Sequence, residues 1–145
     1  MTTSRTHQKI LEIRTPGRGF VDVTREIAAV IAAAKVETGL CVLFLQHTSA
    51  SLVIQENADP AVLRDLERWM AKLAPESDGY EHDDEGPDDM PGHLRSAVTR
   101  TSETVPVVEG RLGLGTWQAI YVWEHRRAPH LRRLVVTVSG AIAAA

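Results

Sequence analysis

The sequence has a single cysteine and lacks any apolar run long enough to cross a bilayer. Cys41 alone cannot form an internal disulfide, and it excludes a Cys-rich zinc module. A membrane-spanning helix needs about 20 consecutive apolar residues, and no stretch of the chain approaches that length. The N-terminal residues 1–5 lead into no apolar segment, which argues against a secretory signal. The expectation is a cytoplasmic protein that does not bind membranes.

The chain has 145 residues, of which 43% are hydrophobic and 24% are charged, as in an ordinary globular protein. This length predicts one domain over residues 1–145. The formal net charge of −3 argues against a nucleic-acid-binding protein. Six of the 19 acidic residues lie in one short run, namely Glu81, Asp83, Asp84, Glu85, Asp88 and Asp89. The other 13 face 16 basic residues, which permits a local anion site in the second half of the chain.

Periodicity predicts three helices. Apolar residues recur at helical spacing after Thr24, which could cap a helix over residues 24–37 with Gly39 just past its end. Asp59 followed by Pro60 is a helix start, and Leu63, Leu66, Met70 and Leu73 give that helix one buried face, which Trp69 widens. Pro91 starts a third helix in which Leu94, Ala97 and Val98 face inward.

Strand signals fill the remainder. The run at residues 40–45 is wholly apolar and predicts a strand buried on both faces. Further strands are predicted over residues 9–13, 51–54, 105–108, 117–123 and 134–138. Because the helices come early and the second half is rich in strands, the order predicts an α+β fold and not a parallel βαβ series.

Three histidines stand out by their positions: His47 follows the apolar strand, His82 lies in the acidic loop, and His93 lies near the start of the third helix. Three imidazoles from separate segments, with one position left open, suit a catalytic Zn²⁺-type ion. Asp83 or Asp84 could add an oxygen ligand or fix a histidine tautomer. Mg²⁺ held by the loop carboxylates together with substrate phosphates is the other possibility. Any single histidine is more often an ordinary exposed or hydrogen-bonded side chain.

Polar residues near His47 and in the C-terminal half are candidate anion ligands. The hydroxyls of Thr48, Ser49 and Ser51 could hold an oxyanion, or they could satisfy their own turn. Glu124 is a candidate general base, metal ligand or ion-pair partner, and an ion pair is the commonest of these roles. Gln118 is predicted to lie on the same strand face as Glu124. Arg126 could bind phosphate, or it could be an ordinary charged surface residue.

An ordered set of motifs resembles the YjbQ family of small uncharacterised proteins, over residues 9–140. The motifs are Gln46-His47-Thr48-Ser49-Ala50-Ser51, Asp59-Pro60, Tyr80-Glu81-His82-Asp83, Pro91-Gly92-His93-Leu94, Leu114-Gly115-Thr116-Trp117-Gln118 and Glu124-His125-Arg126. Family members usually have glycine where this chain has Ala119.

The resemblance implies an α+β fold with two packed, mostly antiparallel β-sheets and two to three helices, assembled as a homotrimer. It implies a polar pocket in which His47, His82 and His93 match recurring histidines. Members are often labelled secondary thiamine-phosphate synthases, which implies a weak transferase activity.

Three functions follow. The first is an enzyme that acts on a phosphorylated small molecule through a histidine-lined metal or phosphate site, with Zn²⁺ or Mg²⁺. The second is a metal-assisted hydrolase in which Glu124 or Asp83 moves protons. The third is a non-enzymatic metal- or ligand-binding trimer. The chain has no Gly-rich phosphate cradle that leads into a helix, which disfavours an efficient synthase.

Overall fold

Residues 3–143 are described by a computed structural model, in which eight strands form two antiparallel sheets accompanied by three helices. The strands are β1 Ser4–Thr15, β2 Gly19–Asp22, β3 Val36–Leu45, β4 Ala50–Glu56, β5 Ser102–Val108, β6 Arg111–Leu112, β7 Gln118–Glu124 and β8 His130–Ile142. The helices are α1 Thr24–Ala34, α2 Pro60–Leu73 and α3 Asp89–Val98. The predicted α+β class is confirmed. None of the helices within residues 3–143 has the length and apolar content of a membrane span.

The larger sheet has the strand order β1-β8-β3-β5-β6, and the smaller sheet has the order β2-β7-β4. All neighbouring strands pair antiparallel. Both β7 and β8 are central strands, and the short segment between them joins the two sheets. Glu124, at the end of β7, therefore lies near Arg132, which follows at the start of β8.

The hydrophobic core lies between the inner face of the larger sheet, the smaller sheet and α1. The apolar stripe predicted for α1 is buried as expected, and it consists of Ile27, Val30, Ile31 and Ala34. It packs with fully buried side chains of both sheets, including Leu43, Val136 and Val122. Fully burying one aliphatic side chain stabilises the folded state by roughly 1.5–3 kcal/mol, so this stripe holds α1 in place.

Strand β3 differs from its prediction, because only one of its faces is buried within the described chain. Cys41, Leu43 and Leu45 point into the core, whereas Leu40 and Phe44 are about half exposed at 51% and 47%. Alternation along a strand places Leu40, Val42 and Phe44 on one outer face. One face of the apolar run therefore packs in the core, and the other face lies on the outer surface of the larger sheet.

Helix α1 ends earlier than predicted, and Thr24 does not cap it. The Thr24 hydroxyl instead accepts a hydrogen bond from the Ile120 N–H at 2.9 Å, while the Asp22 carboxylate accepts from the Thr24 N–H at 2.9 Å. Lys35 takes the left-handed conformation after Ala34, with φ of 59°. The chain turns there, so Gly39 lies inside β3 and not at the helix end.

The start of α2 is confirmed, because the Asp59 carboxylate accepts a hydrogen bond from the Ala61 N–H at 2.9 Å. Its predicted buried face is wrong at two positions, since Trp69 and Leu73 are mostly exposed and Met70 is the buried residue. In α3, Ala97 and Val98 are exposed, and Arg95 is buried in their stead. An ion pair with Glu67 at 2.7 Å compensates the charge of Arg95.

Gly39 of β3 pairs directly with Gly140 of β8. A Cβ atom on Gly39 would lie 2.0 Å from the Ser139 carbonyl oxygen, and one on Gly140 would lie 2.1 Å from the Thr38 carbonyl oxygen. Real Cβ atoms do not approach backbone oxygens so closely, so both positions require glycine at this crossing. The pair fixes how β3 and β8 align.

Candidate functional site

Two histidines and one carboxylate converge where the acidic loop enters α3. Asp89 is the first residue of α3 and His93 lies one turn later, so the two side chains share a helix face. The Asp89 Oδ2 atom lies 2.6 Å from His82 Nε2 and 3.3 Å from His93 Nε2. The potential ligand atoms of the three residues all lie within 4.8 Å of one another. We call His82, Asp89 and His93 the histidine–aspartate cluster.

Arg126 orients the carboxylate of this cluster. Its Nη1 donates to Asp89 Oδ1 at 2.6 Å, its Nε donates to Asp88 Oδ2 at 3.2 Å, and its Nη2 donates to the Glu85 carbonyl at 2.9 Å. Asp89 Oδ2 is thereby left to face the histidines. The sequence predicted Arg126 as an anion ligand, whereas the structure engages all three of its nitrogens with acceptors of the acidic loop.

The histidine–aspartate cluster has more acidic groups around it than the one guanidinium of Arg126 can balance. Asp88 and Asp89 are buried, with 7% and 4% exposed, whereas Glu81, Asp83, Asp84 and Glu85 of the same acidic run are exposed. Burial by itself raises the pKa of Asp89, but the hydrogen bond from His82 and the charge of Arg126 outweigh it and lower that pKa below its usual range. The same hydrogen bond raises the pKa of His82. The raised pKa of His82 reflects the carboxylates around its ring, and the lowered pKa of Asp89 reflects the donors and positive charge that face its carboxylate.

Asp83 lies on the exposed part of the same loop. It lines an open cavity of about 630 Å³ together with Tyr80, His82 and Met90. The proposed role of Asp83 in moving protons remains a prediction.

A second polar cluster is buried around Glu124, whose side chain is fully inaccessible. Glu124 Oε1 accepts hydrogen bonds from Thr15 Oγ1 at 2.5 Å and from Arg132 Nε at 2.8 Å, and Arg132 Nη2 bonds to Oε2. Burial raises the pKa of Glu124, but the bonds from Arg132, Thr15 and the Arg126 amide outweigh it and hold the pKa below its usual value. The predicted ion pair is thus present, with Arg132 as partner. We call Glu124, Arg132 and Thr15 the buried ion-pair cluster.

The serines predicted as anion ligands are buried beside this cluster. Arg132 Nη2 donates to Ser49 Oγ at 3.0 Å and to the Ser49 carbonyl at 3.2 Å. Ser51 Oγ lies 2.8 Å from His125 Nε2, and both side chains are fully buried. Burial lowers the pKa of His125 to about 3, so its ring is neutral in the folded protein. These contacts give Ser49 and Ser51 internal partners.

Within the described residues, the ring nitrogens of His47 are not part of the group formed by His82, Asp89 and His93, and His47 instead contacts β8. Its Nε2 accepts a hydrogen bond from the Arg133 N–H at 2.7 Å, and its Nδ1 lies 3.3 Å from Arg132 Nη1. Burial, followed by the charge of Arg132, lowers the pKa of His47. Asp89 occupies the place in the cluster that the sequence analysis gave to His47, and coordination of an ion by His47 stays a prediction.

A cavity of about 450 Å³ connects the neighbourhoods of His47 and His93. Its lining combines hydroxyl, amide, imidazole and apolar groups, from Phe44, Leu45, Gln46, His47, Thr48, His93, Ser96, Ala97 and Thr101. His93 belongs both to this lining and to the histidine–aspartate cluster. A small molecule in the cavity, which we call the Phe44 cavity, can therefore approach the cluster. Of the predicted anion ligands, Thr48 lies on this wall.

Gln118 lies outside this region. It begins β7 while Glu124 ends it, and the rise of about 3.3 Å per residue separates them by roughly 20 Å. Its Oε1 accepts a hydrogen bond from the Gly115 N–H at 2.7 Å, which closes the turn before β7. The shared strand face that suggested Gln118 does not bring it to the site, because sharing a face says nothing about distance along the strand.

Sequence reasoning missed three residues that shape the site. Asp89 stands four residues before His93, and this helical spacing was a usable signal once the helix was begun at Asp89 instead of Pro91. Asp88 and Arg132 carried no such signal, because their partners come from distant segments. The pairing of β7 with β4 and of β8 with β3 brings Ser49 and His47 to Arg132.

Comparison with known proteins agrees with the sequence motifs. Residues 9–141 match the family model described as UPF0047 protein YjbQ-like. The chain is 56% identical over 142 residues to UPF0047 protein sll1880 of Synechocystis, with 97% of this chain and 96% of the relative covered. It is 46% identical to UPF0047 protein YjbQ of Escherichia coli O157:H7, with 92% and 98% covered.

Solved structures show the same fold. A conserved hypothetical protein from Thermus thermophilus superimposes with a TM-score of 0.76 at 38% identity, covering 88% of this chain and 97% of that one. A YbjQ-like protein of unknown function from Sulfolobus solfataricus superimposes with a TM-score of 0.83 at 22% identity, covering 93% and 99%. The match to the family model over most of the chain, together with these relatives, shows that the chain belongs to the YjbQ/UPF0047 family.

Proposed function

We propose that this protein is a metal-dependent enzyme that acts on a phosphorylated small molecule, with a divalent ion held by His82, Asp89 and His93. The observation that carries the proposal is the convergence of two imidazole nitrogens and a carboxylate oxygen within 4.8 Å. Metal–ligand bonds near 2.0–2.2 Å place neighbouring ligand atoms roughly 3–4 Å apart, so the spacing fits one ion. Imidazole ligands favour Zn²⁺ or a similar transition metal over Mg²⁺.

The charge around the cluster supports a cation. Glu85 Oε2 lies 3.1 Å from His82 Nε2, and Asp88 and Asp89 are buried nearby. The guanidinium of Arg126 balances one of these three negative charges. A divalent ion would neutralise the remainder, which makes the donor set suitable in charge as well as in geometry.

The residues around the ion have separable roles in the proposed reaction. His82, Asp89 and His93 would hold the divalent ion, which would supply Lewis-acid chemistry at a phosphoryl oxygen or at water. Arg126 holds the Asp89 carboxylate in place from the side opposite the histidines. The Phe44 cavity binds the substrate beside His93, and Asp83 is the exposed carboxylate that can exchange protons with solvent.

Hydrolysis suits this arrangement better than thiamine-phosphate synthesis. Displacement of a diphosphate requires cationic donors free to neutralise the leaving group. Asp88 and Asp89 balance the charge of Arg126, and Glu124 balances the charge of Arg132, so neither arginine offers an uncompensated positive charge to a diphosphate. We therefore propose that thiamine-phosphate synthesis is a side activity at most.

We further propose a homotrimer, as the family resemblance implies. The outer face of the larger sheet supports self-association, because Ile10, Val42 and Phe44 are each more than a third exposed. Phe44 and Ile10 both pair with Val135 across neighbouring strands, which makes the apolar patch continuous. Phe44 also lines the Phe44 cavity, so a neighbouring subunit would contact the substrate site. Sedimentation of the purified protein should give three times the monomer mass, and a monomer would refute the trimer.

Calorimetric titration of metal-stripped protein with Zn²⁺, and separately with Mg²⁺, tests the metal site. One Zn²⁺ per chain should bind, and His93→Gln or Asp89→Asn should each weaken Zn²⁺ binding at least tenfold. His7→Gln, on β1, is the matched control and should leave the affinity unchanged. Equal affinity in all four proteins would refute the cluster as a metal site.

Turnover of phosphorylated small molecules, measured with and without EDTA, separates enzyme from binding protein. The proposal expects phosphate release that EDTA abolishes and Zn²⁺ restores. Zn²⁺ binding without turnover of any phosphate ester would favour the non-enzymatic metal-binding alternative. Turnover that persists in EDTA would contradict the role of the ion.

A further inference from the structure

Two hydrogen-bond donors face one another between His47 and Arg132. A neutral imidazole has one nitrogen that donates and one that accepts. His47 Nε2 accepts from the Arg133 N–H at 2.7 Å, so the ring proton is assigned to Nδ1. Nδ1 lies 3.3 Å from Arg132 Nη1, which carries only donors. The two N–H groups therefore approach each other without an acceptor between them.

Arg132 is held so that Nη1 cannot turn away. Its Nε and Nη2 bond to Glu124, and Nη2 also donates to both oxygens of Ser49. The guanidinium is planar, so these bonds fix the direction of Nη1 as well. Arg132 is 4% exposed, and in the part of the chain that the structure describes, Nη1 contacts His47 Nδ1 and no acceptor. A buried donor without an acceptor destabilises the folded protein, and a ligand oxygen could recover that loss.

We infer that His47 Nδ1 and Arg132 Nη1 together bind one oxygen of a ligand oxyanion. An oxygen can lie 2.8–3.0 Å from each of two donors that are 3.3 Å apart, which is ordinary hydrogen-bond geometry. The Glu124 carboxylate balances the charge of Arg132, so the site favours an anion mainly through directed N–H groups. We call this pair of donors the His47–Arg132 anion subsite.

The subsite narrows the substrate class. His47 and His93 line the same Phe44 cavity, whose volume of about 450 Å³ suits a small metabolite. A ligand can thus place one anionic group at His47 and present a second group to the metal cluster beside His93. Provided that the proposed function is correct, the substrate is a small molecule with two polar ends, a phosphate ester at the cluster and an oxyanion at His47.

The ring tautomer gives a first test that needs no variant. Long-range ¹H–¹⁵N NMR spectra of metal-free protein should show His47 with its proton on Nδ1 and a bare Nε2. Phosphate should shift the Nδ1 proton and leave the His7 ring unchanged. A proton on Nε2 would mean that Nδ1 accepts from Arg132, which removes the facing donors and overturns the inference.

Titration of EDTA-treated protein with inorganic phosphate, and in parallel with acetate, gives the second test. His47→Phe keeps a ring but removes the donor, and it should weaken binding of both anions at least tenfold. The control His7→Phe should leave both affinities unchanged. If only phosphate binds, the subsite is specific for phosphoryl oxygens; if acetate binds equally, it accepts carboxylates too.

The cluster variant His82→Gln distinguishes this inference from the proposed function, because His82 belongs to the metal cluster but not to the lining of the Phe44 cavity. Phosphate binding to metal-free His82→Gln should stay within threefold of the parent protein, whereas Zn²⁺ binding should persist in His47→Phe. Phosphate affinity that falls in His82→Gln but not in His47→Phe would overturn the anion subsite and leave the metal proposal standing. If the parent protein does not bind Zn²⁺ but His47→Phe still weakens phosphate binding, the metal proposal is refuted and the anion subsite is not.

Discussion

The buried ion-pair cluster and the histidine–aspartate cluster are both built from carboxylates and cationic groups, but they differ in charge balance. Glu124 has one guanidinium, that of Arg132, and its oxygens also accept from Thr15 and two backbone amides. Around His82, by contrast, the carboxylates of Glu85, Asp88 and Asp89 lie close together, and the guanidinium of Arg126 pairs with those of Asp88 and Asp89. The charges of the first cluster balance without a ligand, whereas the second has an excess of negative charge.

This difference assigns the two clusters different tasks. A balanced and buried ion pair contributes to the folded structure, and removing one partner strands the other charge. An acid-rich cluster at the surface end of a helix is more stable when a cation is bound. Variants of the first should therefore change the stability of the protein, and variants of the second should change its affinity for ions.

The largest effect is expected from Arg132→Leu. This change leaves the Glu124 carboxylate buried without its partner, which destabilises folded proteins by about 3–5 kcal/mol. Urea unfolding followed by circular dichroism measures the loss. Arg68→Leu removes an arginine from an exposed pair with Asp65 and should cost less than about 1 kcal/mol. Equal losses in the two variants would contradict the structural role of the buried pair.

Acid should weaken the fold through His125, which lies beside the buried ion-pair cluster. The pKa of His125 is about 3 in the folded protein, against about 6.5 for an unperturbed histidine. Between these values the unfolded chain binds more protons, so stability falls as pH falls. The expected slope is about 1.4 kcal/mol per pH unit between pH 6 and pH 4.

Urea midpoints measured across this range check the slope. Glu124, whose pKa is also lowered, adds a loss of the same sign at still lower pH. His125→Gln should flatten the curve above about pH 4.5 and leave the more acidic part in place. A stability curve of the parent protein that is flat from pH 6.5 to pH 4.5 would show that His125 is not buried as a neutral ring.

Asp89→Asn should leave the fold nearly intact but weaken Zn²⁺ binding at least tenfold. Asp88 and the Glu85 carbonyl retain Arg126, so the change in unfolding free energy should stay near or below about 1 kcal/mol. Comparing the thermal midpoint with and without Zn²⁺ measures both effects in one sample. If metal-free Asp89→Asn were much less stable than the metal-free parent protein, the histidine–aspartate cluster would have a structural role like that of the buried ion-pair cluster.

Asp84→Asn is expected to have the smallest effect. Asp84 lies 3.7 Å from His82 Nδ1 and is 83% exposed, so solvent and mobile ions screen its charge. Zn²⁺ affinity should change less than threefold. A loss as large as that of Asp89→Asn would place the ion on the outer side of His82, with Asp84 and Glu85 as ligands.

Local patterns in the sequence predicted most of the fold. The apolar stripe of α1, the Asp59–Pro60 start of α2 and the late strands were all recoverable, because each depends on neighbours within a few residues. Residues 40–45 show the limit of that reasoning. An apolar run is the same whether its second face lies in the core or on the outer surface of a sheet.

The site was predicted only in part, for a related reason. The sequence indicated His82 and His93, which the structure brings together with ring centroids 5.5 Å apart. It gave no sign that Arg132 would turn inward to Glu124 while the adjacent Arg133 reaches Gln46. Which of two neighbouring arginines is buried depends on strand register, and register is a property of two segments at once.

The contact between Gly39 and Gly140 bears on this register. With those glycines paired, Leu45 lies opposite Leu134, and the residues just beyond, His47 and Arg132, come within 3.3 Å. A slip of β3 by one position would turn every side chain of the strand to the other face. Because neither Gly39 nor Gly140 carries a Cβ atom, β3 and β8 can pair closely at one end, and this pairing sets the positions of His47 and Arg132 at the other end. A substitution at either glycine should therefore weaken anion binding at the His47–Arg132 anion subsite without changing any residue of that subsite.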